Sequence, residues 1–293
     1  MKIAPAALFH SFETVPPPLA DRPRRIAPVG QVYAKSADTA GLDCFRYTPV
    51  RRDLTRPPLF CIHGISRNAL EHVYAFRQQA DEMGFPIIAP IFDPASYRGY
   101  QTLGAKTGWN ALAAFDALLD EVSADFNASA VNLFGFSGGG QFAHRYAMAR
   151  PARISALAIS SAGWYTFPSE NVRYPRGFAE NTQLLMSLGE YLRIPMLAMV
   201  GSADTERDAT LRQGKKINAQ QGADRVARAK NWTGAVNAAA GERGLPPPAA
   251  FAELAGAAHS FVECVAAGLV LRAMEFFRPH VLHENKTPSG DQT

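Results

Sequence analysis

The sequence predicts an α/β fold: a mostly parallel sheet with helices on both faces and a short cap. Three observations carry that reading. Short apolar runs alternate along the chain with longer segments whose apolar residues recur at helical spacing. At one junction, residues 131–140 read Val-Asn-Leu-Phe-Gly-Phe-Ser-Gly-Gly-Gly and pass directly from an apolar run into a helix. Two later apolar runs also end in glycine turns, and those turns carry Asp204 and His259.

Taken in order, a pair of strands at residues 31–35 and 42–47 opens the domain. Residues 58–62 form a short strand that runs into His63-Gly64-Ile65-Ser66, and a helix follows over 68–83. The run at 86–92 is the next strand and 109–125 the next helix. The apolar stretch 131–136 enters the glycine turn, a helix continues through 141–148, and 154–160 is a further strand. Residues 163–194 read as irregular and then helical, too short for a separate lid domain but long enough for a cap. A buried strand at 195–200 precedes Asp204. The stretch to His259 is longer than one crossover helix needs: 224–240 is that helix, and 205–222 is an extra excursion. A weaker strand at 251–255 and an apolar helix over 260–277 complete the domain, which spans 30–283. Residues 1–29, rich in proline and carrying Arg22, Arg24 and Arg25, read as a surface arm, and 284–293 as a polar tail.

Bulk properties agree with one ordinary globular unit. The 293 residues could make two domains by length alone, but α/β folds of this size are routinely single. A hydrophobic content of 47% supports a large core, and no run approaches the roughly 20 apolar residues of a membrane helix. No repeat or low-complexity segment is visible. The net charge of +4 is spread along the chain rather than gathered into a stripe, so it favours an anionic partner weakly and a nucleic acid not at all.

The turn at Gly135-Phe136-Ser137-Gly138-Gly139 is a G-x-S-x-G elbow, which lifts a serine hydroxyl clear of the backbone. Its glycines are required where a Cβ would crowd the neighbouring chain. The helix that follows turns its free N–H groups toward the turn, where they favour negative charge. A nucleophilic serine needs a base and the base an orienting acid, and His259 and Asp204 stand at the ends of later strands as those partners should. Glu206 and Asp208 are rivals for the acid; Asp204 lies nearest the strand end. Among other histidines, His144 sits about 10 Å along the helix from Ser137 and reads as structural, while His10, His72, His280 and His283 lack a strand-end setting. His63 precedes Gly64 in a loop where a histidine fixes loop shape by hydrogen bonding. The Ile65 N–H from that loop and the Gly138 N–H from the elbow are the expected oxyanion donors.

The order Ser137, Asp204, His259, with the elbow and the loop after residue 62, resembles the α/β-hydrolase superfamily over residues 30–280. Within it, Phe60-Cys61-Ile62-His63-Gly64, Ile88-Ala89-Pro90, the elbow through Arg145 and Ala162-Gly163-Trp164-Tyr165-Thr166 look like the esterases grouped with polyhydroxybutyrate depolymerases. Enzymes that attack an external polymer are exported. Here the only early apolar stretch, residues 3–9, is broken by Pro5 and followed by Pro16-Pro17-Pro18 without a small-residue cleavage site. The three cysteines, Cys44, Cys61 and Cys264, are few and odd in number. A cytoplasmic enzyme with a soluble substrate is the expectation.

Ligands of open parallel sheets bind beyond the carboxyl ends of the strands. The loops there hold Arg67, Tyr100, Trp164 and Tyr165 as candidate substrate contacts, with Arg207 and Arg212 in the excursion. The expected activity is serine esterase chemistry on a small soluble carboxylic ester through an acyl-enzyme, with neither metal nor organic cofactor and no nucleic-acid or membrane partner. Thioester, lactone or amide hydrolysis, or acyl transfer, would use the same residues. A ligand binder that kept the fold is the reading outside enzymes.

Overall fold

The computed structural model describes residues 28–37, 41–104, 110–179, 184 and 186–281. Most of the expected arm, the polar tail and Trp109 lie outside the described residues. Eight strands form one sheet: β1 (Val32–Lys35), β2 (Cys44–Tyr47), β3 (Leu59–Ile62), β4 (Ile87–Pro90), β5 (Val131–Phe136), β6 (Ile154–Ser160), β7 (Met196–Gly201) and β8 (Ala249–Leu254). Their spatial order is β1-β2-β4-β3-β5-β6-β7-β8. β1 pairs antiparallel with β2 and β2 with β4, while every pair from β4 to β8 is parallel.

The chain steps outward from β3 to β4 and then returns across β3 to lay down β5. The direction of winding therefore changes between β3 and β5, which leaves a crevice where their following loops diverge. Those loops are the His63 loop and the elbow.

Helices cover both faces: α1 (Ala69–Met83), α2 (Ala111–Phe126), α3 (Gly138–Ala149), α4 (Leu188–Tyr191), α5 (Lys215–Gln221), α6 (Arg225–Gly241), α7 (Phe261–Ala266) and α8 (Leu269–Phe277). Alternation along the strands divides the core. Phe60, Ile62, Leu133, Leu157 and Ala198 pack with residues of α2, α3 and α6, whereas Leu59, Cys61, Phe134, Ala158 and Met199 pack with α1, α7 and α8. Both layers are needed because the central strands are buried on each side.

Local chemistry sets several boundaries. The Asn110 side chain accepts hydrogen bonds from the Leu112 and Ala113 amides at 3.1 and 3.2 Å and starts α2. Gly84 ends α1 in the left-handed region at φ 78°. Three elements differ from the sequence reading. The helix expected over 260–277 breaks at Gly268, whose φ of 91° ends α7 and begins α8. The excursion after Asp204 contains the short helix α5, and β8 begins at Ala249 rather than at 251. In the cap region the described residues 163–179 are irregular, with one isolated bridge between Arg173 and Ala179. Cys44, Cys61 and Cys264 are buried and free. No helix among the described residues is long and apolar enough to cross a membrane.

Helix α3 approaches β3 so closely that a Cβ on Gly139 would lie 2.0 Å from the Ile62 carbonyl oxygen and 2.6 Å from that of His63. Gly234, exposed on α6, has nothing within 4 Å of the same position. Gly139→Ala should therefore lower stability by more than about 2 kcal/mol, while Gly234→Ala should raise it by about 0.5–1 kcal/mol through helix propensity. Urea melts of the two variants check the pair; equal midpoints would contradict the close approach.

Candidate active site

Ser137 sits at φ 54° and ψ −114°, a left-handed conformation that costs a residue with a Cβ about 1–3 kcal/mol. The surroundings enforce it: the Ser137 amide donates to the Ser160 carbonyl at 2.8 Å. A Cβ on Gly135 would come within 2.4 Å of the Gly139 carbonyl oxygen.

The Ser137 hydroxyl lies 3.0 Å from His259 Nε2, and His259 Nδ1 lies 2.7 Å from Asp204 Oδ2. With Asp204 ionised, Nδ1 carries the proton and donates it, which leaves Nε2 to accept from the serine. The imidazole is partly exposed and stacks on Phe136, ring centroids 5.6 Å apart. Asp204 is buried at 1% exposure.

Adjacent strands bring base and acid together. The turn after β7 docks on the turn after β8, with the Ala203 amide donating to the Ala257 carbonyl at 3.0 Å. A Cβ on Gly201 would be 2.2 Å from that same carbonyl. Beyond His259, Ser260 caps α7 by accepting from the Glu263 amide at 3.3 Å, and the Glu263 carboxylate reaches back to the Ala258 amide at 2.9 Å. Glu263 thus fixes the residues on either side of the imidazole. The Ser-x-x-Glu spacing directly after His259 was the sequence signal for this support.

The second oxygen of Asp204 faces Arg225, whose Nη1 donates to Oδ1 at 3.1 Å. Arg225 is itself buried, and also binds the Asp208 carboxylate at 2.9 and 3.3 Å and the Thr210 hydroxyl at 2.7 Å. Asp208, the rival acid, thus lies across the guanidinium from His259's partner, and hydrogen bonding from Arg225 holds its carboxyl well below the usual range. A cation in the first turn of α6 works against the helix dipole, so the two carboxylates are what keep it there. Arg225 and Arg228 carried no periodic or motif signal and were invisible in the sequence.

Across the serine, the loop after β3 is fixed by a neutral histidine. His63 Nδ1 donates to the Gly64 carbonyl at 2.8 Å, and its Nε2 accepts the Phe92 amide at 3.0 Å. Burial holds its pKa down at about 4. The Tyr100 hydroxyl donates to the His63 carbonyl at 3.0 Å. Ile65 and Gly138 lie together, since a Cβ on Gly138 would be 3.2 Å from Ile65 Cγ2 and 3.3 Å from Gln101 Nε2. Neither the Ile65 nor the Gly138 N–H has a hydrogen-bond partner among the described residues. Gln101, which the sequence did not single out, adds a side-chain amide beside Gly138.

The remaining candidates separate. Tyr100 and Tyr165 have no exposed surface: Tyr100 stacks on Phe92 at 4.8 Å, and Tyr165 on Trp232 at 4.9 Å. Tyr100 packs beneath the His63 loop and Tyr165 is held by Gln221, so neither presents surface to a ligand. Arg67 lies over the Tyr100 ring at 4.5 Å. Trp164, 5% exposed, lies beneath the Arg145 and Arg212 guanidiniums. His144 donates from Nδ1 to the Gly140 carbonyl at 2.7 Å and accepts the Thr166 amide at 2.9 Å, so it ties α3 to the loop after β6. Among the described residues no three His, Cys, Asp or Glu side chains group as metal ligands.

Fold and geometry together define an α/β-hydrolase-fold chain with a serine, histidine and aspartate joined by hydrogen bonds. It is similar to the solved poly(3-hydroxybutyrate) depolymerase from Bordetella parapertussis, at 27% identity and a TM-score of 0.68 over 83% of this chain and 86% of that one. The poly(aspartic acid) hydrolase-1 from Sphingomonas sp. KT-1 matches with a TM-score of 0.70 at 24% identity, covering 83% and 99%. An S-formylglutathione hydrolase from Agrobacterium tumefaciens shares the fold at 14% identity and a TM-score of 0.56, over 85% and 94%. No family model matches the chain, and no curated protein matches it by sequence.

Two measurements follow. Arg225→Met leaves Asp204 and Asp208 without their counter-charge and should cost about 3–5 kcal/mol at pH 7. Because the Arg225 contact depresses the Asp208 pKa, that stabilisation is present above the unfolded carboxyl value and fades below it, so the gap between variant and wild type should narrow below about pH 4. A variant as stable as wild type at pH 7 would remove the network from consideration.

Buried neutral histidines act in the same direction at higher pH. Burial lowers His63 to about 4, His72 to about 3 and His144 well below its ordinary value. The unfolded chain takes up those protons near pH 6.5 and the folded chain does not. Stability is therefore full above that value and falls as pH drops toward 4, by up to about 1.4 kcal/mol per pH unit for each histidine. His72, stacked on Phe261 at 4.1 Å with neither ring nitrogen hydrogen-bonded, can be replaced by phenylalanine, and the urea midpoint of His72→Phe should depend less steeply on pH between 7 and 5. A wild-type midpoint level over that range would contradict neutral burial.

Proposed function

We propose that this protein is a serine hydrolase that cleaves a carboxylic ester of a small soluble substrate through an acyl-enzyme. The observation that carries the reading is the continuous chain from Ser137 Oγ to His259 Nε2 at 3.0 Å and from His259 Nδ1 to Asp204 Oδ2 at 2.7 Å, built on a strained elbow. Ser137 attacks the ester carbonyl as His259 accepts its proton at Nε2, and the carbonyl oxygen becomes an oxyanion facing the Ile65 and Gly138 N–H groups. Collapse of the tetrahedral intermediate expels the alcohol, which takes the proton from His259. Water repeats the sequence on the acyl-enzyme and releases the acid. Asp204 holds the tautomer throughout, and Arg225 and Glu263 hold Asp204 and the His259 turn.

Likeness to hydrolases, among them a poly(3-hydroxybutyrate) depolymerase, supports hydrolysis of an ester or a related bond. Three buried free thiols support action in a reducing compartment such as the cytoplasm.

Ser137→Ala should lose fluorophosphonate labelling and more than about 10³-fold in kcat on p-nitrophenyl esters, with the fold intact. His259→Ala should fall comparably and Asp204→Asn somewhat less. A folded wild-type protein that never labels from pH 6 to 9 would instead support a ligand binder. Collapse in Asp208→Asn with Asp204→Asn near the wild-type rate would reassign the acid.

A further inference from the structure

The loop after β6 and the excursion after Asp204 line a cleft of about 450 Å³. Trp164 and Tyr174 lie along it, and its charged lining is entirely cationic: Arg173, Arg176, Arg212, Lys215 and Lys216. None of the five forms an ion pair among the described residues, and no Asp or Glu lines the cleft. Five unpaired cations around one concavity repel each other, a cost that an anionic occupant removes.

The cleft has a buried anchor and fixed walls. Arg145, fully buried on α3, lies over the Trp164 ring at 4.2 Å and has no carboxylate partner; it donates to the Gln101 carbonyl at 2.6 Å and to the Thr166 hydroxyl at 3.0 Å, and its Nη2 has no partner at all. The buried Tyr174 hydroxyl is likewise unpartnered. Arg228, buried on α6, donates to the carbonyls of Gly163, Arg212 and Gly222 and to the Asn218 side chain, which pins both walls. The cleft joins the elbow through α3 and Gln101: Gln101 lies beside Gly138 and accepts from Arg145.

We propose that this cleft binds a substrate carrying several carboxylates, so that the ester attacked by Ser137 belongs to an acidic, multiply charged molecule. The inference rests on the esterase reading for its consequence in catalysis, but anion binding by the cleft stands apart from it. Guanidinium groups pair with planar carboxylates through two parallel hydrogen bonds. Arg173, Arg176 and Arg212 supply three such forks, and Lys215 and Lys216 add charge.

The test compares mono-p-nitrophenyl adipate with p-nitrophenyl methyl adipate, which differ by one carboxylate, and measures tetraglutamate binding by calorimetry. Wild-type protein at 20 mM salt should prefer the anionic ester at least tenfold in kcat/KM and bind tetraglutamate, and both should weaken steeply at 500 mM NaCl. In the triple variant Arg212→Gln, Lys215→Gln, Lys216→Gln, all at exposed positions, the anionic-to-neutral ratio should fall at least tenfold and tetraglutamate affinity with it. Turnover of the neutral ester with no anionic preference and no tetraglutamate binding would overturn the cleft proposal and leave the esterase reading standing. No turnover of either ester and no fluorophosphonate labelling, with tetraglutamate still bound by wild type and lost in the triple variant, would overturn the esterase reading and keep the cleft. Equal binding of inorganic phosphate and tetraglutamate would overturn the carboxylate assignment.

Discussion

The approach of helix α3 to the end of β3 is the constraint on which the rest of the site depends. Gly139 permits it, because its missing Cβ would collide with the Ile62 and His63 carbonyls. The short separation forces the turn at Ser137 into its left-handed conformation and places Gly138 against Ile65. With β3 and β5 paired in parallel, both loops leave the sheet at the same level. One steric permission thus positions the hydroxyl and two unpaired amides at once, and the cost of strain at a single residue is spread over a whole sheet that cannot relax it.

Charge buried behind the site does a second job. Arg225 and Arg228 leave the first turn of α6 and reach opposite ways, one to the carboxylates at 204 and 208 and the other to the main chain at 163, 212 and 222. The same helix end therefore secures the acid of the hydrogen-bonded chain and the walls of the basic cleft. Disturbance of either is expected to reach the other through α6, since the two guanidiniums are buried side by side and repel.

Much of this was legible in the chain. The alternation of apolar runs gave the order of strands and helices, and the elbow, Asp204 and His259 could be read because each stands where an apolar run meets a glycine turn. Helix α5 was not legible, since Lys215–Gln221 has little apolar periodicity and is held by tertiary contact to Arg228. Nor was the break at Gly268, which interrupts an otherwise continuous apolar pattern through one backbone angle. The aromatic residues at strand ends looked alike in sequence; all three are buried, and position alone separates Trp164, which lines the cleft, from Tyr100 and Tyr165, which do not. Long-range ion pairs such as Arg225 with Asp204 have no local signature, because their partners meet only after the sheet forms.

The placement of the three thiols has a separate consequence. Cys61 lies in the central strand β3 with no exposed surface, and Cys44 and Cys264 are covered by β2 and α7 packing. Burial pushes all three thiols up, so few thiolates exist at neutral pH. An alkylating reagent can reach Cys61 only when the sheet opens, whereas Cys264, on α7 against the Ala258 carbonyl, becomes reachable when the His259 turn opens. The chain thereby contains its own graded reporters of breathing: the relative alkylation rates of these sulfurs distinguish fluctuation around the candidate site from separation of the strands that carry it.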